Sequence, residues 1–331
     1  MLKFVQKHKK DVPLLFTLKI HTFMKANLSS QIKLDRTPKR YYRPANAFER
    51  TALTRFEKIQ TEIYESTEEG SSQIAKEVSD LIRNRKKEGR FCVMALGSGP
   101  GTHSVYKELV RLHRDEKLSF SNVIVFNISE FYPLDEAAPG TTRILQETLL
   151  NQVDIDPTNV FTPRGTTEKE GVFEFCKEYE KSIENYGGLD LALLEIGPLG
   201  NLGFNEPGSQ ANSSTRLMLI GSESRHNASG MFSSTESVPG SAITMGISTI
   251  LGAKKLILMA WGEKKAAIVK GAIEGNVTDA LPASYLQLHK DAKVVLDLSA
   301  AENLTRISTP WLGTSCEWND KLIRSAIVWL C

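Results

Sequence analysis

The sequence predicts an α/β fold, a Rossmann-like parallel sheet with helices on both faces. Its apolar segments are apolar at nearly every position, which is typical of strands buried on both sides. Amphipathic segments of helical period alternate with them, as the crossovers of a parallel sheet require. The clearest unit is 91–112, where an apolar run meets a Gly-rich turn that opens an amphipathic helix.

The other elements follow in the same alternation. Helices are predicted at 75–90, 168–188 and 263–275, where a glycine closes each amphipathic pattern, and one more ends at Gly252. Apolar runs predict strands at 91–96, 122–132, 189–197, 215–220, 255–261 and 292–299. The alternation therefore indicates a single sheet built from β-loop-α units.

The chain divides into four predicted segments. Residues 1–23 are rich in lysine and lack the unbroken apolar region of a signal peptide, so we expect a dispensable leader outside the fold. Residues 24–69 are expected to form an N-terminal arm and 70–305 the α/β domain. Residues 306–331 are expected to form a helical tail. Its apolar face continues to the last residue, which indicates either a truncated longer protein or a native cap on the domain.

Composition bears on partners and location. Lys and Arg number 41 and Asp and Glu 39, a net charge of +2, so nucleic acid is not expected as a partner. No apolar run reaches the length of a membrane span, so no membrane partner is expected. Four cysteines without a CxxC pair indicate reduced thiols, which suits the cytoplasm.

Ligands of open parallel sheets bind at the carboxyl ends of the strands. The loops at these ends are 97–102, 127–133, 197–209 and 261–265. In the first of them, Ser98, Gly99, Gly101 and Thr102 present hydroxyl and backbone N–H groups at the start of a helix. That arrangement favours an anion such as phosphate. A plain strand-to-helix turn would have the same pattern.

Three charged residues in these loops are candidates for chemistry. Glu130 follows a strand, and Glu206 lies in the loop "GNLGFNEPGS", so each is a candidate catalytic carboxylate; the alternatives are a solvated acid and an acid in a turn. At the start of a helix, either Lys264 or Lys265 is a candidate for binding an anion, and the alternative is a surface lysine. The histidines share no metal-binding spacing, so no metal site is predicted.

Taken in order, the motifs "SGPGT", "FNISEFYPL", "FNEP" and "GEKKA" resemble those of the glucosamine-6-phosphate deaminase (isomerase) family. The resemblance covers about residues 70–300. The family's reaction opens the sugar ring, moves a proton between C2 and C1 and expels ammonia. The resemblance therefore implies an amino-sugar phosphate as ligand and no cofactor, and it leaves a homo-oligomer open.

The resemblance also implies roles for single residues. Where the family reads roughly "FNxDE", this chain reads "FNISE", so Ser129 stands in place of the proton-shuttling aspartate. Where the family reads "GxGxDGHIAFNEP", this chain reads "EIGPLGNLGFNEP". Leu199 then replaces an aspartate, and Asn201 replaces the ring-opening histidine. Glu206 matches the glutamate that supports that histidine. The candidate catalytic residues are thus Glu206, Glu130, Ser129 and Asn201.

The implied phosphate site is retained in part. Its candidate residues are Ser98, Gly99, Gly101, Thr102, Lys265 and Arg225. A second phosphate-binding arginine of the family is replaced by Gly230. Ser209 and Arg216 fall where some members hold an allosteric amino-sugar phosphate, but Met218 replaces a lysine there.

Two hypotheses follow. The first is a glucosamine-6-phosphate deaminase-like enzyme of altered chemistry that uses Glu130 or Glu206. The second is a non-catalytic sugar-phosphate-binding or regulatory module, since neither serine nor asparagine titrates near neutral pH. The tail also resembles the junction of two-part relatives, which implies a downstream deacetylase-like domain.

Overall fold

A parallel sheet of seven strands forms the centre of the main unit, Lys39–Cys316. This computed structural model describes residues 37–135 and 138–331, so the predicted leader, 1–23, lies outside the described residues. The strands are β1 (Gln60–Tyr64), β2 (Cys92–Leu96), β3 (Val123–Asn127), β4 (Ser129–Tyr132), β5 (Val160–Phe161), β6 (Leu191–Glu195), β7 (Arg216–Leu219), β8 (Ser241–Thr244), β9 (Lys255–Ala260) and β10 (Ala292–Asp297).

Helices connect these strands. They are α1 (Lys39–Tyr42), α2 (Ala47–Leu53), α3 (Thr67–Lys87), α4 (His103–Glu116), α5 (Thr141–Thr148), α6 (Val172–Asn185), α7 (Ser222–Ala228), α8 (Ile247–Leu251), α9 (Ala266–Glu274), α10 (Thr305–Ser308) and α11 (Asp320–Leu330). The core between α3, α4 and the sheet contains fully buried Ile74, Ile82 and Leu109.

The strand order of the large sheet is β1-β10-β9-β6-β2-β3-β5, and all of its neighbours are parallel. The predicted α/β fold is therefore confirmed. After β2 the chain moves to one side through β3, and it later returns on the other side through β6. This reversal places a topological switch point between β2 and β6, where open α/β sheets bind their ligands.

A second, smaller sheet is antiparallel, with the order β4-β8-β7. The run 122–132, predicted as one strand, is divided between the two sheets: β3 ends at Asn127, and β4 begins at Ser129. The run predicted as a helix ending at Gly252 likewise begins as β8 before α8. Both segments are apolar enough to be buried in either conformation, so the hydrophobic pattern does not reveal the change.

The amino-terminal end of the sheet lies earlier than the predicted boundary at residue 70. Strand β1 pairs with β10 at the sheet edge, and α3 begins at Thr67. Its N-cap Ser66 accepts a hydrogen bond from the backbone N–H of Glu69 at 3.2 Å, a favourable helix start. Part of the predicted arm, 24–69, thus belongs to the sheet.

The main unit continues beyond the predicted domain end at residue 305. Arg306 is 3% exposed and donates to the carbonyl of Thr61 at 3.0 Å, which attaches this segment to β1. The second unit includes 317–331. There the predicted tail helix is present as α11, and its N-cap Asn319 accepts from the N–H of Leu322 at 2.9 Å.

Across residues 37–135 and 138–331, no helix combines the length and the apolar character needed to span a bilayer.

Candidate functional site

The loop 97–102, called here the glycine loop, leaves β2 at the switch point and opens α4. Its first residue, Gly97, donates its N–H to the carbonyl of Leu193 on β6 at 3.2 Å. The short 3-10 turn Pro100–Thr102 then leads into the 14 residues of α4. The loop therefore carries backbone N–H groups at the positive end of a helix dipole, as predicted for an anion site.

Hydrogen bonds inside the glycine loop fix its shape. The N–H and the hydroxyl of Thr102 both donate to the carbonyl of Gly99, at 3.0 and 2.8 Å. The indole N–H of Trp261 donates to the carbonyl of Gly101 at 2.8 Å. Ser98 is buried beside them. The hydroxyl of Thr102 thus serves the loop itself.

The carboxylate of Glu195 lies inside this loop. It comes from the last residue of β6, and its Oε2 accepts the N–H of Gly101 at 2.9 Å. A Cβ placed on Gly99 would lie 2.2 Å from that oxygen, and one on Gly101 would lie 2.8 Å from Cδ. Only glycine leaves room for the carboxylate at these two positions. The space that the sequence assigned to phosphate therefore holds an acidic side chain.

Lys265 completes this arrangement. Its Nζ lies 3.9 Å from Oε1 of Glu195 and donates to the carbonyl of Ile196 at 2.6 Å. Burial raises the pKa of Glu195, and Lys265, the N–H of Gly101 and His103 oppose that rise. Burial likewise lowers the pKa of Lys265, opposed by Glu195. The lysine is therefore paired with an acid of its own chain.

The loop after β6 places Asn201 beside the same site. Its backbone carbonyl accepts from Gly197 at 2.9 Å, and its side-chain Nδ2 donates to the carbonyl of Gly203 at 2.6 Å. Its buried Oδ1 has no hydrogen-bond partner within the described part of the chain. Gly200, with φ +73°, allows the tight turn between Gly197 and Asn201. Asn201 is therefore held by the loop as a neutral amide.

Ser129 borders the same turn from the small sheet. It is 7% exposed and pairs with Thr244 across β4 and β8. A Cβ on Gly203 would lie 2.9 Å from Oγ1 of Thr244 and 3.8 Å from Oγ of Ser129. Ser129 and Asn201 thus each lie beside Gly203, while Leu199 lies half-buried in the same loop.

Glu206 lies in the same loop, after Gly203 in the chain. Both of its carboxylate oxygens accept the N–H of Gly221, at 3.2 and 3.1 Å, just before α7. Nearby, Arg216 donates to Oδ1 of Asn205 at 2.9 Å and to the hydroxyl of Ser209 at 3.3 Å. Burial lowers the pKa of Arg216. Glu206 therefore anchors the start of a helix, and Arg216 and Ser209 are joined by a hydrogen bond.

Glu130 is 4% exposed and caps α5. Its Oε1 accepts the N–H groups of Phe131 and Thr141 at 2.8 and 2.9 Å, and its Oε2 accepts that of Thr142 at 2.8 Å. Three backbone donors to one carboxylate favour a structural role over the predicted catalytic one. The sequence could not show these donors, because two of them arrive 11 and 12 residues later in the chain.

Arg225, predicted to bind phosphate, contacts a different loop. Its Nη2 donates to the carbonyls of Thr235 and Glu236, at 3.2 and 3.5 Å. Within the described part of the chain, no hydrogen bond or ion pair joins Arg225 to the glycine loop or to Lys265. The structure therefore brings the glycine loop and Lys265 together and leaves Arg225 elsewhere.

Glu195 is the residue that sequence reasoning missed. Two signals for it were present. An acid ends the otherwise apolar strand "LALLE", and Glu195 aligns with the first glycine of the family form "GxGxDGHIAFNEP". A charged residue at the carboxyl end of a buried strand points toward the ligand edge of the sheet.

Comparisons with known proteins agree with this architecture. A family model described as glucosamine-6-phosphate isomerases/6-phosphogluconolactonase matches residues 65–296. The chain belongs to this family. Within this family it is a glucosamine-6-phosphate deaminase-like domain, because relatives that are 59% and 40% identical to it carry that name.

A glucosamine-6-phosphate deaminase-like protein from Bacteroides thetaiotaomicron is 59% identical over 309 residues. The alignment covers 93% of this chain but 47% of that protein, so this chain spans about half the length of that relative. A glucosamine-6-phosphate deaminase from Clostridium botulinum is 40% identical over 233 residues, which are 70% of this chain and 95% of the enzyme.

Solved structures of the family have the same fold. A monomeric glucosamine-6-phosphate deaminase superposes with a TM-score of 0.71 at 32% identity and covers 74% of this chain and 100% of its own. The 6-phosphogluconolactonase from Trypanosoma brucei superposes with a TM-score of 0.60 at 19% identity, covering 75% of this chain and 99% of its own. At 19% identity, the comparison with the Trypanosoma brucei protein supports the shared fold only.

Proposed function

We propose that this domain is a non-catalytic member of its family, a sugar-binding or regulatory module that does not deaminate glucosamine 6-phosphate. The observation that carries the proposal is Asn201, whose amide is fixed by Gly203 at the place of the ring-opening group. An amide has no titrating proton near neutral pH, so it cannot act as acid and base in turn.

The neighbouring positions support the same reading. Ser129 holds a hydroxyl whose pKa lies far above neutrality, and Leu199 has no polar atom in its side chain. Removing one general acid–base group typically costs about 10²–10⁴-fold in rate. Three replacements at one site leave no group on these positions to move a proton between carbons.

Glu206 and Glu130, the two carboxylates that the sequence offered for altered chemistry, are engaged elsewhere. Glu206 accepts from Gly221, and Glu130 accepts from three backbone N–H groups at the start of α5. If the domain were an enzyme of altered chemistry, Glu206 or Glu130 would have to break these hydrogen bonds before it could act on a substrate. We therefore favour the binding module.

We further propose that the domain serves a longer cytoplasmic protein as its sugar-binding part. The length of the Bacteroides relative, of which this chain spans 47%, supports a larger parent. The resemblance of the tail to two-part relatives supports a downstream deacetylase-like domain as its partner.

The test is ammonia release from glucosamine 6-phosphate by the purified 331-residue chain. We expect no release above the buffer control, with a deaminase of the family as positive control. Turnover at a rate usual for enzymes, about 1–10³ s⁻¹, would overturn the proposal, whichever ligand the pocket prefers.

A further inference from the structure

We propose that Glu195 supplies, from within the chain, the negative charge held by the glycine loop, so that the site excludes phosphorylated sugars and accepts the unphosphorylated amino sugar. This inference rests on the proposed function, because it names the ligand class of that same pocket. It makes Glu195 the residue that determines specificity.

The carboxylate of Glu195 already occupies the glycine loop. Oε2 of Glu195 takes the N–H of Gly101 at 2.9 Å, a bond that an anion in this loop would otherwise accept. The carboxylate is also so close to Gly99 that a single added Cβ would lie 2.2 Å from it. A phosphate group and this carboxylate cannot occupy the loop together.

The positive charge of Lys265 is already paired with Glu195. The side chains of Lys265 and Glu195 are each 18% exposed, and their charged atoms lie 3.9 Å apart. The lysine is therefore already neutralised by the chain. A sugar phosphate brings a charge of about −1.5 to −2 at neutral pH, and like charges repel strongly where the side chains are as little exposed as those of Glu195 and Lys265. Arg225, the other predicted cation, contacts Thr235 and Glu236 instead.

The third argument concerns the groups that Glu195, Ser129 and Asn201 offer to a sugar without phosphate. A carboxylate accepts hydrogen bonds from hydroxyl and ammonium groups, and bonds to charged groups are the stronger ones. Ser129 and Asn201 add neutral groups that can donate and accept. A free amino sugar such as glucosamine carries hydroxyl and ammonium groups that can donate to Glu195, and it has no phosphate to compete with the carboxylate.

The alternative is a movable side chain. Glu195 would then rotate out of the glycine loop when a phosphate arrives, and Lys265 would turn to the phosphate. This alternative predicts that wild type binds glucosamine 6-phosphate at least as tightly as glucosamine, so the same measurement decides between the two.

The experiment is calorimetric titration of the 331-residue chain with three probes: glucosamine, glucosamine 6-phosphate and inorganic phosphate. We expect wild type to bind glucosamine at least about tenfold more tightly than its phosphate, and to show no binding of inorganic phosphate. Glu195→Gly should reverse the preference and gain phosphate binding. Lys265→Ala in the Glu195→Gly background should abolish that gain.

Two further variants test whether the effect comes from the charge of Glu195 and whether it is specific to that residue. Glu195→Gln keeps the volume and removes the charge, so it should weaken glucosamine binding while still blocking phosphate in part. Glu263→Gln removes an exposed acid two residues from Lys265 and should leave all three affinities unchanged. Thermal unfolding of each variant identifies any that fails to fold, and Glu195→Gln keeps the test open if Glu195→Gly does.

Three results would overturn the inference. They are binding of glucosamine 6-phosphate to wild type as tightly as glucosamine, binding of neither sugar to wild type, and a folded Glu195→Gly variant that gains no phosphate binding. None of these outcomes includes ammonia release, so the role of Glu195 and the absence of catalysis can fail separately.

Discussion

The guanidinium Nε of Arg306 lies 2.9 Å from the carboxylate of Glu57, and both side chains are 2% exposed. Arg306 comes from α10 and also donates to the carbonyl of Thr61. The pair thus joins the segment after the sheet to the segment before it.

Arg306→Met should destabilise the domain by about 3–5 kcal/mol, because it leaves the carboxylate of Glu57 buried without a partner. Chemical denaturation followed by circular dichroism measures this loss. Lys76→Met is the matched control. It breaks an ion pair with Asp80 whose side chains are 67% and 49% exposed, and it should cost less than about 1 kcal/mol. Equal losses in the two variants would contradict the prediction.

Glu57→Gln should change how stability depends on pH. Burial raises the pKa of Glu57 from 4.5 to about 7 against the opposing charge of Arg306. An acid with a raised pKa in the folded state stabilises that state below its unfolded value, and this contribution is lost as pH rises through the folded value. Wild type should therefore lose stability between about pH 4.5 and about pH 7 through this group, by up to about 1.4 kcal/mol per pH unit. The decline should be absent from denaturation curves of Glu57→Gln; an unchanged slope would refute the assignment.

Asp190→Asn should cost about 2–4 kcal/mol at neutral pH. Its carboxylate accepts from Lys254 at 2.8 Å, Arg85 at 2.9 Å and the N–H of Val93 at 3.1 Å. Burial alone would raise the pKa of Asp190, but these partners lower it overall.

The stabilisation by Asp190 is therefore present above its unfolded pKa and lost as pH falls through the lower folded value. The difference between wild type and Asp190→Asn should shrink in acid, below about pH 3.9. A penalty that stays constant as the pH falls well below that value would assign the effect to shape instead of charge.

Gly99→Ala should destabilise the chain by about 1–3 kcal/mol, the usual cost of overpacking, because its Cβ would lie 2.2 Å from Oε2 of Glu195. In the Glu195→Gly background the cost should fall below about 1 kcal/mol. Gly230→Ala, whose Cβ would meet nothing within 4 Å, is the control and should change stability by no more than about 0.5 kcal/mol. A double-mutant cycle on melting curves measures the coupling; additive effects would mean that Glu195 leaves the loop freely.

The fold was predictable because its strands are buried on both sides, and such strands are recognisable as apolar runs. The division of 122–132 was not, since Ile128 continues the apolar pattern across the point where the chain changes sheets. That change depends on the pairing of Ser129 with Thr244, which is a contact between distant parts of the chain.

The candidate site was predictable in its loops but not in its contacts. The Gly-rich pattern indicated an anion, and Lys265 does lie at that loop. The acid at the end of β6 pointed toward the ligand edge, but the sequence could not show that its carboxylate lies in the glycine loop, because β6 reaches the loop only through the strand order of the folded sheet. The role of Glu130 was similarly ambiguous, because the N–H groups of α5 that it accepts come after an intervening loop.

The groups of the glycine loop that face Glu195 belong to the main chain, so substitutions within the loop do not remove them. The side chain that fills the loop, by contrast, comes from a neighbouring strand and is a single residue. Codons for glutamate and glycine differ at one nucleotide. Descent within this family can therefore add or withdraw the internal carboxylate in one mutational step, while the loop around it stays the same.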